Sequence, residues 1–225
     1  MTERTKLLPA KRWIAIAALA GALAGAIAVY VSGGETGKFA TASSSPEDRI
    51  CAAKTAQAER VGAAATGEVA AMLPADPPQS LASLSFNDPS GKPMTIADLK
   101  GKTLLLNLWA TWCAPCRAEM PALDALQKAQ GGEDFEVVAV NIDTGDDTKP
   151  KAFLQDTGVT ELGYYRDASL GIFNEMKSRA LALGLPVTAL IDAEGCLLAH
   201  MNGPAEWNSQ DAQTLLSAAR ASTLR

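Results

Sequence analysis

The chain has 225 residues, with 20 Lys plus Arg, 25 Asp plus Glu and a single His, for a formal net charge of −5. At 48% hydrophobic residues it is too apolar for a disordered chain, 18 Gly and 12 Pro exclude collagen-like and low-complexity classes, and the acidic balance argues against a nucleic-acid partner. One His leaves no cluster for a His-based metal site, and four Cys are too few for a disulfide-dense mini-protein.

The charge is unevenly spread. Residues 1–38 carry five basic groups (Arg4, Lys6, Lys11, Arg12, Lys38) and two acidic ones (Glu3, Glu35), a balance of +3, which leaves −8 for the rest. Trp13 to Val31 is an uncharged run of 19 residues. As a helix it would span about 28 Å, close to the hydrocarbon thickness of a bilayer. The basic residues before it keep residues 1–12 cytoplasmic by the positive-inside rule, and Trp13 and Tyr30 suit the two interfaces. The length favours an uncleaved transmembrane anchor at 13–31 over a cleaved signal peptide, for which Ala24 and Ala26 would suit the cleavage site. Either reading exports the rest of the chain. Residues 32–45 are rich in Gly, Ser and Thr and read as a flexible tether, which leaves 46–225 as one exported domain.

In the exported part, Ser45-Pro46-Glu47-Asp48 is a helix start, and the Ala-rich stretch to about Arg60 is predicted helical, weakened afterwards by Gly62 and Gly67. Met72 to Pro78 reads as an extended connector, so 46–78 form a helical extension. Leu84–Phe86 and Met94–Ile96 alternate around a turn and predict a β-hairpin. Thr103–Trp109 is a buried strand, Ala118–Gln130 a helix and Phe135–Ile142 a second buried strand. Helices are expected at Asp147–Asp156 and Ser169–Met176, strands at Val187–Ile191 and Cys196–His200, and a closing helix at Trp207–Ala221. Strands alternating with helices, then a hairpin and a helix, indicate an α/β sheet covered on both faces.

Trp109-Ala110-Thr111-Trp112-Cys113-Ala114-Pro115-Cys116-Arg117 joins a buried strand to a helix. Two Cys spaced by two residues on a first helical turn can close a disulfide with little rearrangement. The free N–H groups and the positive helix end favour a thiolate at the first. A thiolate attacks a disulfide and the neighbouring thiol resolves the mixed disulfide, so Cys113 is the candidate nucleophile and Cys116 the resolving residue. Pro115 stiffens the loop, while Arg117 either adds positive field or points to solvent. The competing readings are half of a zinc site, for which only Cys51, Cys196 and His200 remain as further ligands, and a purely structural disulfide.

The run from Gly101 to Cys116, followed by Glu119-Met120-Pro121, resembles the thioredoxin superfamily, and more closely its membrane-anchored TlpA branch. The hairpin, Ile96–Lys102 and Gly184–Thr188 match that branch as well, so the resemblance covers roughly residues 80–225. It implies a thioredoxin fold, with a central mixed sheet flanked by helices, carrying here the N-terminal hairpin and helical extension and a central strand–helix insert within Asp143–Met176. Pro186 matches the family's cis-proline, and Leu185 before it would offer backbone hydrogen bonds to a client strand. Trp112, Ala114 and Pro115 would line the same groove, with Trp109 in the core. Glu119 matches an acidic residue that would relay the proton for Cys116, or else is an exposed helix carboxylate. Asn107 departs from thioredoxin itself, where a buried Asp accepts that proton.

In an exported, oxidising setting a Cys51–Cys196 disulfide is expected to pin the N-terminal helix to the sheet, against the alternative of two inert buried thiols. His200 reads as a surface or satisfied strand histidine. The resemblance implies a periplasmic dithiol reductase on a bacterial cell membrane, with no bound cofactor. Its electron donor would be a membrane thiol transporter, and its client a copper chaperone or an oxidase copper-site protein in cytochrome oxidase biogenesis. The alternatives are a copper-binding chaperone using Cys113, Cys116 and His200, a reductase in cytochrome c maturation, and a disulfide oxidant or isomerase.

Overall fold

The structure, a computed structural model, describes residues 45–221. The expected anchor at 13–31, its flank 1–12 and the tether up to residue 44 lie outside the described residues. Among the described residues no helix is long and apolar enough to cross a membrane.

Ser45 opens α1 (Pro46–Ala52) with a reciprocal cap: its hydroxyl accepts the Asp48 N–H at 3.0 Å, and the Asp48 carboxylate accepts the Ser45 N–H at 3.3 Å. The helix expected to run on to Arg60 breaks at Ala53–Lys54 and resumes as α2 (Thr55–Ala64). The break orients Lys54 toward Asp192 and Glu194, at 3.2 and 2.7 Å. Gly62 does not end α2. A Cβ there would lie 2.8 Å from Pro74 Cγ, so glycine lets the helix lie close against Pro74. That proline belongs to β1 (Leu73–Pro74). The stretch read as a connector thus adds an edge strand to the sheet, antiparallel to β8 (Leu197–Asn202), where the missing N–H of proline is tolerated.

The hairpin forms as β2 (Ser85–Asn87) and β3 (Pro93–Thr95). A 3-10 turn at Ile96–Leu99 leads to β4 (Thr103–Trp109), in which every residue is buried. Helix α3 (Ala114–Gln130) starts four residues before the expected Ala118, because Pro115 stands in the first turn, where no N–H is needed. β5 (Phe135–Asn141) follows, then α4 (Thr148–Asp156), β6 (Tyr165–Arg166) and α5 (Gly171–Ser178). α5 begins later than Ser169 because the Asp167 carboxylate holds the N–H groups of Ser169 and Ile172 at 2.9 and 2.8 Å in a turn. β7 (Val187–Ile191) and β8 close the sheet. α6 (Gln210–Arg220) starts after Ser209, which caps Ala212, and so leaves Trp207 in the preceding loop.

Among the described residues, eight strands form one mixed sheet in the order β1-β8-β7-β4-β5-β6-β2-β3. β4 is parallel to β5 and antiparallel to β7. The insert strand β6 lies between β5 and β2, so the insert joins the hairpin to the central strands. α2 packs on β8 and α6, and α3 packs on β5. The contiguous core runs through β4, β5 and β7 and into α3 and α6.

Candidate active site

The redox loop leaves β4 at its C-terminal end. Asp143, just past β5, ties down its start: Oδ2 accepts the Thr111 N–H at 2.8 Å and Oδ1 accepts the Thr111 hydroxyl at 2.7 Å. Asn141 Nδ2 steadies Asp143 Oδ2 at 2.7 Å, and Arg166 of the insert holds the Gly145 carbonyl at 2.6 Å. Asp143 is a buried carboxylate that sequence reasoning placed only at the start of the insert, because nothing local marks it as a partner of Thr111.

Cys113 and Cys116 form a disulfide, with Cα atoms 5.3 Å apart. Cys113 is the N-cap of α3, and its sulfur accepts the Cys116 N–H at 3.3 Å. After reduction the same N–H and the helix end would stabilise a thiolate. Cys113 retains 6% of its surface and Cys116 none, so of the two only Cys113 reaches the surface. Trp112 is exposed, as are Ala114 and Pro115, whereas Trp109 is core. Trp112 and Arg117 border a groove of about 770 Å³ whose far wall is the insert, through Asp146, Lys149 and Phe153.

The Leu185–Pro186 peptide bond is cis, Pro186 is buried and Leu185 is half-buried. Register pairs Leu108 with Val187, so Pro186 lies level with the end of β4 from which the redox loop departs. Gly203 N–H donates to the Pro186 carbonyl at 2.9 Å, and Asn202 bridges the same loop to Leu183 N and Leu181 O.

Glu119 sits one turn after Cys116 on α3 and is buried at 3% exposure, which removes the reading of an exposed helix carboxylate. Oε1 accepts Asn107 Nδ2 at 2.9 Å, and Oε2 accepts the Ala205 N–H at 3.1 Å and Trp207 Nε1 at 3.0 Å. Burial pushes its pKa up to about 7 against these three donors, which favour the ionised form. Asn107 Nδ2 also donates to Thr188 Oγ1 at 3.0 Å. The sequence drew attention to Asn107 and Glu119 separately. Their direct contact, and the parts of Thr188, Ala205 and Trp207, come from strand register and from the loop before α6.

Cys51 and Cys196 form the second disulfide, 145 residues apart and with Cα atoms 5.2 Å apart, both buried. His200 faces Leu73 across the β8–β1 pair. It is neither a surface nor a satisfied histidine: it is half-buried, burial lowers its pKa, and Nδ1 has no hydrogen-bond partner among the described residues. Among the described residues no group of three or more His, Cys, Asp or Glu could hold a metal ion.

A mixed sheet with a two-cysteine centre at a strand–helix junction, facing a cis-proline loop, defines a thioredoxin-like redox protein. The Redoxin family model matches residues 75–216, more than half of the chain, and the chain belongs to this family. It is 39% identical over 116 residues to the thiol:disulfide interchange protein HelX of Rhodobacter capsulatus, covering 50% of this chain and 59% of that protein. It is 44% identical over 57 residues to the thiol-disulfide oxidoreductase ResA of Bacillus subtilis, covering 25% of this chain and 32% of that protein. The chain thus spans less than two thirds of these curated relatives. A solved thioredoxin-family thiol:disulfide interchange protein from Chlorobium tepidum superposes with a TM-score of 0.50 at 26% identity, over 63% of this chain and 99% of that one.

Proposed function

We propose that the protein is a thiol–disulfide oxidoreductase working as a dithiol reductase of client disulfides. The observation that carries this reading is the Cys113–Cys116 pair at the start of α3, with the outer sulfur reachable and the inner one buried one turn from Glu119. In the reduced protein the Cys113 thiolate attacks one sulfur of a client disulfide. A Cys113–client bond forms and the client's other sulfur leaves as a thiolate. Cys116 then gives its proton to the Glu119 carboxylate and attacks Cys113. The client leaves with both sulfurs reduced, and the protein holds the disulfide seen here. Two electrons pass to the client, and a carboxylate that titrates near neutrality suits both halves of the cycle.

The finer reading is a TlpA-type protein, anchored by residues 13–31 with its domain in the periplasm, recharged by a membrane thiol transporter. Its clients would be a copper chaperone or an oxidase copper-site protein. The uncharged run behind four basic residues supports the anchor, and the sequence resemblance supports the client class. Trapping with Cys116→Ser in cells tests it: mixed disulfides on Cys113 carrying copper-site proteins are expected by mass spectrometry. If no client is trapped and the purified reduced protein reduces no oxidised copper-site protein, the reading is wrong.

A further inference from the structure

We propose that Trp207, together with the Ala205 amide, is a positioning residue for Glu119: the two N–H groups hold Oε2 and confine the exchangeable proton to Oε1. This deepens the reading of Glu119 as the proton acceptor for Cys116 and rests on it. Oε2 already receives two N–H donors, from Ala205 at 3.1 Å and Trp207 at 3.0 Å, which occupy both of its lone-pair directions. Oε1 receives one, from Asn107 Nδ2 at 2.9 Å, and has room for a proton. Trp207 is 1% exposed, so its indole N–H has no water to turn to.

Asn107 Nδ2 also donates to Thr188 Oγ1 at 3.0 Å, so both N–H groups of this nitrogen are engaged and the amide is fixed in this orientation. The exchangeable proton therefore takes the free side of Oε1, and the Asn107 bond to that oxygen is kept.

The groups facing the carboxyl are Asn107 on β4 with Thr188 on β7 behind it, Ala205 and Trp207 from the loop before α6, and Cys116 one turn earlier on α3. Among the described residues no charged side chain acts on its ionisation, and only Cys116, once reduced, would titrate beside it.

The test uses the full chain in its oxidised form, with Glu119→Gln as the control that identifies the carboxyl signal. Infrared difference spectra between about pH 5 and pH 9 follow the protonated carboxyl. Trp207→Phe keeps the ring and removes the N–H, and is expected to raise the titration midpoint by about one pH unit, because the ionised form gains most from that donor. Asn107→Leu is expected to raise it as well, since the Asn107 amide donates to the other carboxyl oxygen. In the unaltered protein the Trp207 indole N–H resonance is expected to shift with the same midpoint as the infrared band. A folded Trp207→Phe with an unmoved midpoint, or an indole resonance indifferent to pH across that range, overturns the positioning role. None of these readings needs a client, so failure to reduce disulfides in a separate assay would defeat the functional reading and leave them standing.

Discussion

Trp207 Nε1 donates to Glu119 Oε2 across 3.0 Å and 88 residues of chain. The contact joins the loop before the last helix to the helix that carries the redox cysteines. It leaves a carboxylate buried but hydrogen-bonded, so that neither protonation state is strongly favoured near neutrality.

Glu119 makes the folded protein less stable as pH rises. Its pKa is about 7 in the fold against 4.5 for an ordinary glutamate, so between those values the folded state binds more proton than the unfolded one. Its ionisation lowers stability progressively from about pH 4.5 to 7, by roughly 3 kcal/mol in total. Glu119→Gln, which cannot ionise, is expected to flatten that slope. Urea unfolding of the oxidised forms at acid and at mildly alkaline pH checks it, and equal slopes in both proteins would contradict it.

The Cys51–Cys196 bond closes a 145-residue span and ties α1 to the sheet. The double variant Cys51→Ser, Cys196→Ser is expected to lose up to about 5 kcal/mol of stability, read as a lower Tm, because the unfolded chain regains its freedom. Alkylation of reduced Cys113 should be unchanged, since Cys51 and Cys196 are remote from the redox loop in the chain and buried. Lost Cys113 reactivity in a folded double variant would show that the staple shapes the site.

Asp143→Ala removes the acceptor of both Thr111 groups and of Asn141 Nδ2. A destabilisation of about 2 to 3 kcal/mol is expected, because partly buried donors lose their partner. Thr111→Val removes only the hydroxyl arm and should cost about 1 kcal/mol. Denaturant midpoints of the two variants test the order, and a larger loss for Thr111→Val would reverse the assignment.

Gly62→Ala separates helix propensity from packing. In an open helix alanine would stabilise by about 1 kcal/mol. Here the new Cβ would meet Pro74 Cγ at 2.8 Å and Pro74 Cβ at 3.0 Å. A loss of about 1 to 2 kcal/mol is expected as α2 is pushed off β1. A more stable variant would mean that Pro74 gives way instead.

The central strands were legible because both of their faces are buried. Thr103–Trp109 and Val187–Ile191 read as continuous apolar runs and form with those same limits. The redox centre was legible because its chemistry is local: two cysteines on one helical turn need no distant partner to be recognised. Helix starts were less so. α3 begins with Pro115 in its first turn, and α5 begins after the turn that the Asp167 carboxylate holds, so one side chain decides each boundary.

By itself the sequence determined the α/β class, the Cys113–Cys116 pair and the identity of the buried strands, all of which rest on spacing and hydrophobicity along a few neighbouring residues. Only the tertiary structure decided that a connector becomes the edge strand β1, that β6 links the hairpin to the core, and that Asp143 holds Thr111. It also decided that Glu119 is buried, and that Asn107 and Trp207 meet it. These are contacts between residues distant in the chain. Strand register and close packing set them, and a one-residue slip in either would undo them without changing any local pattern.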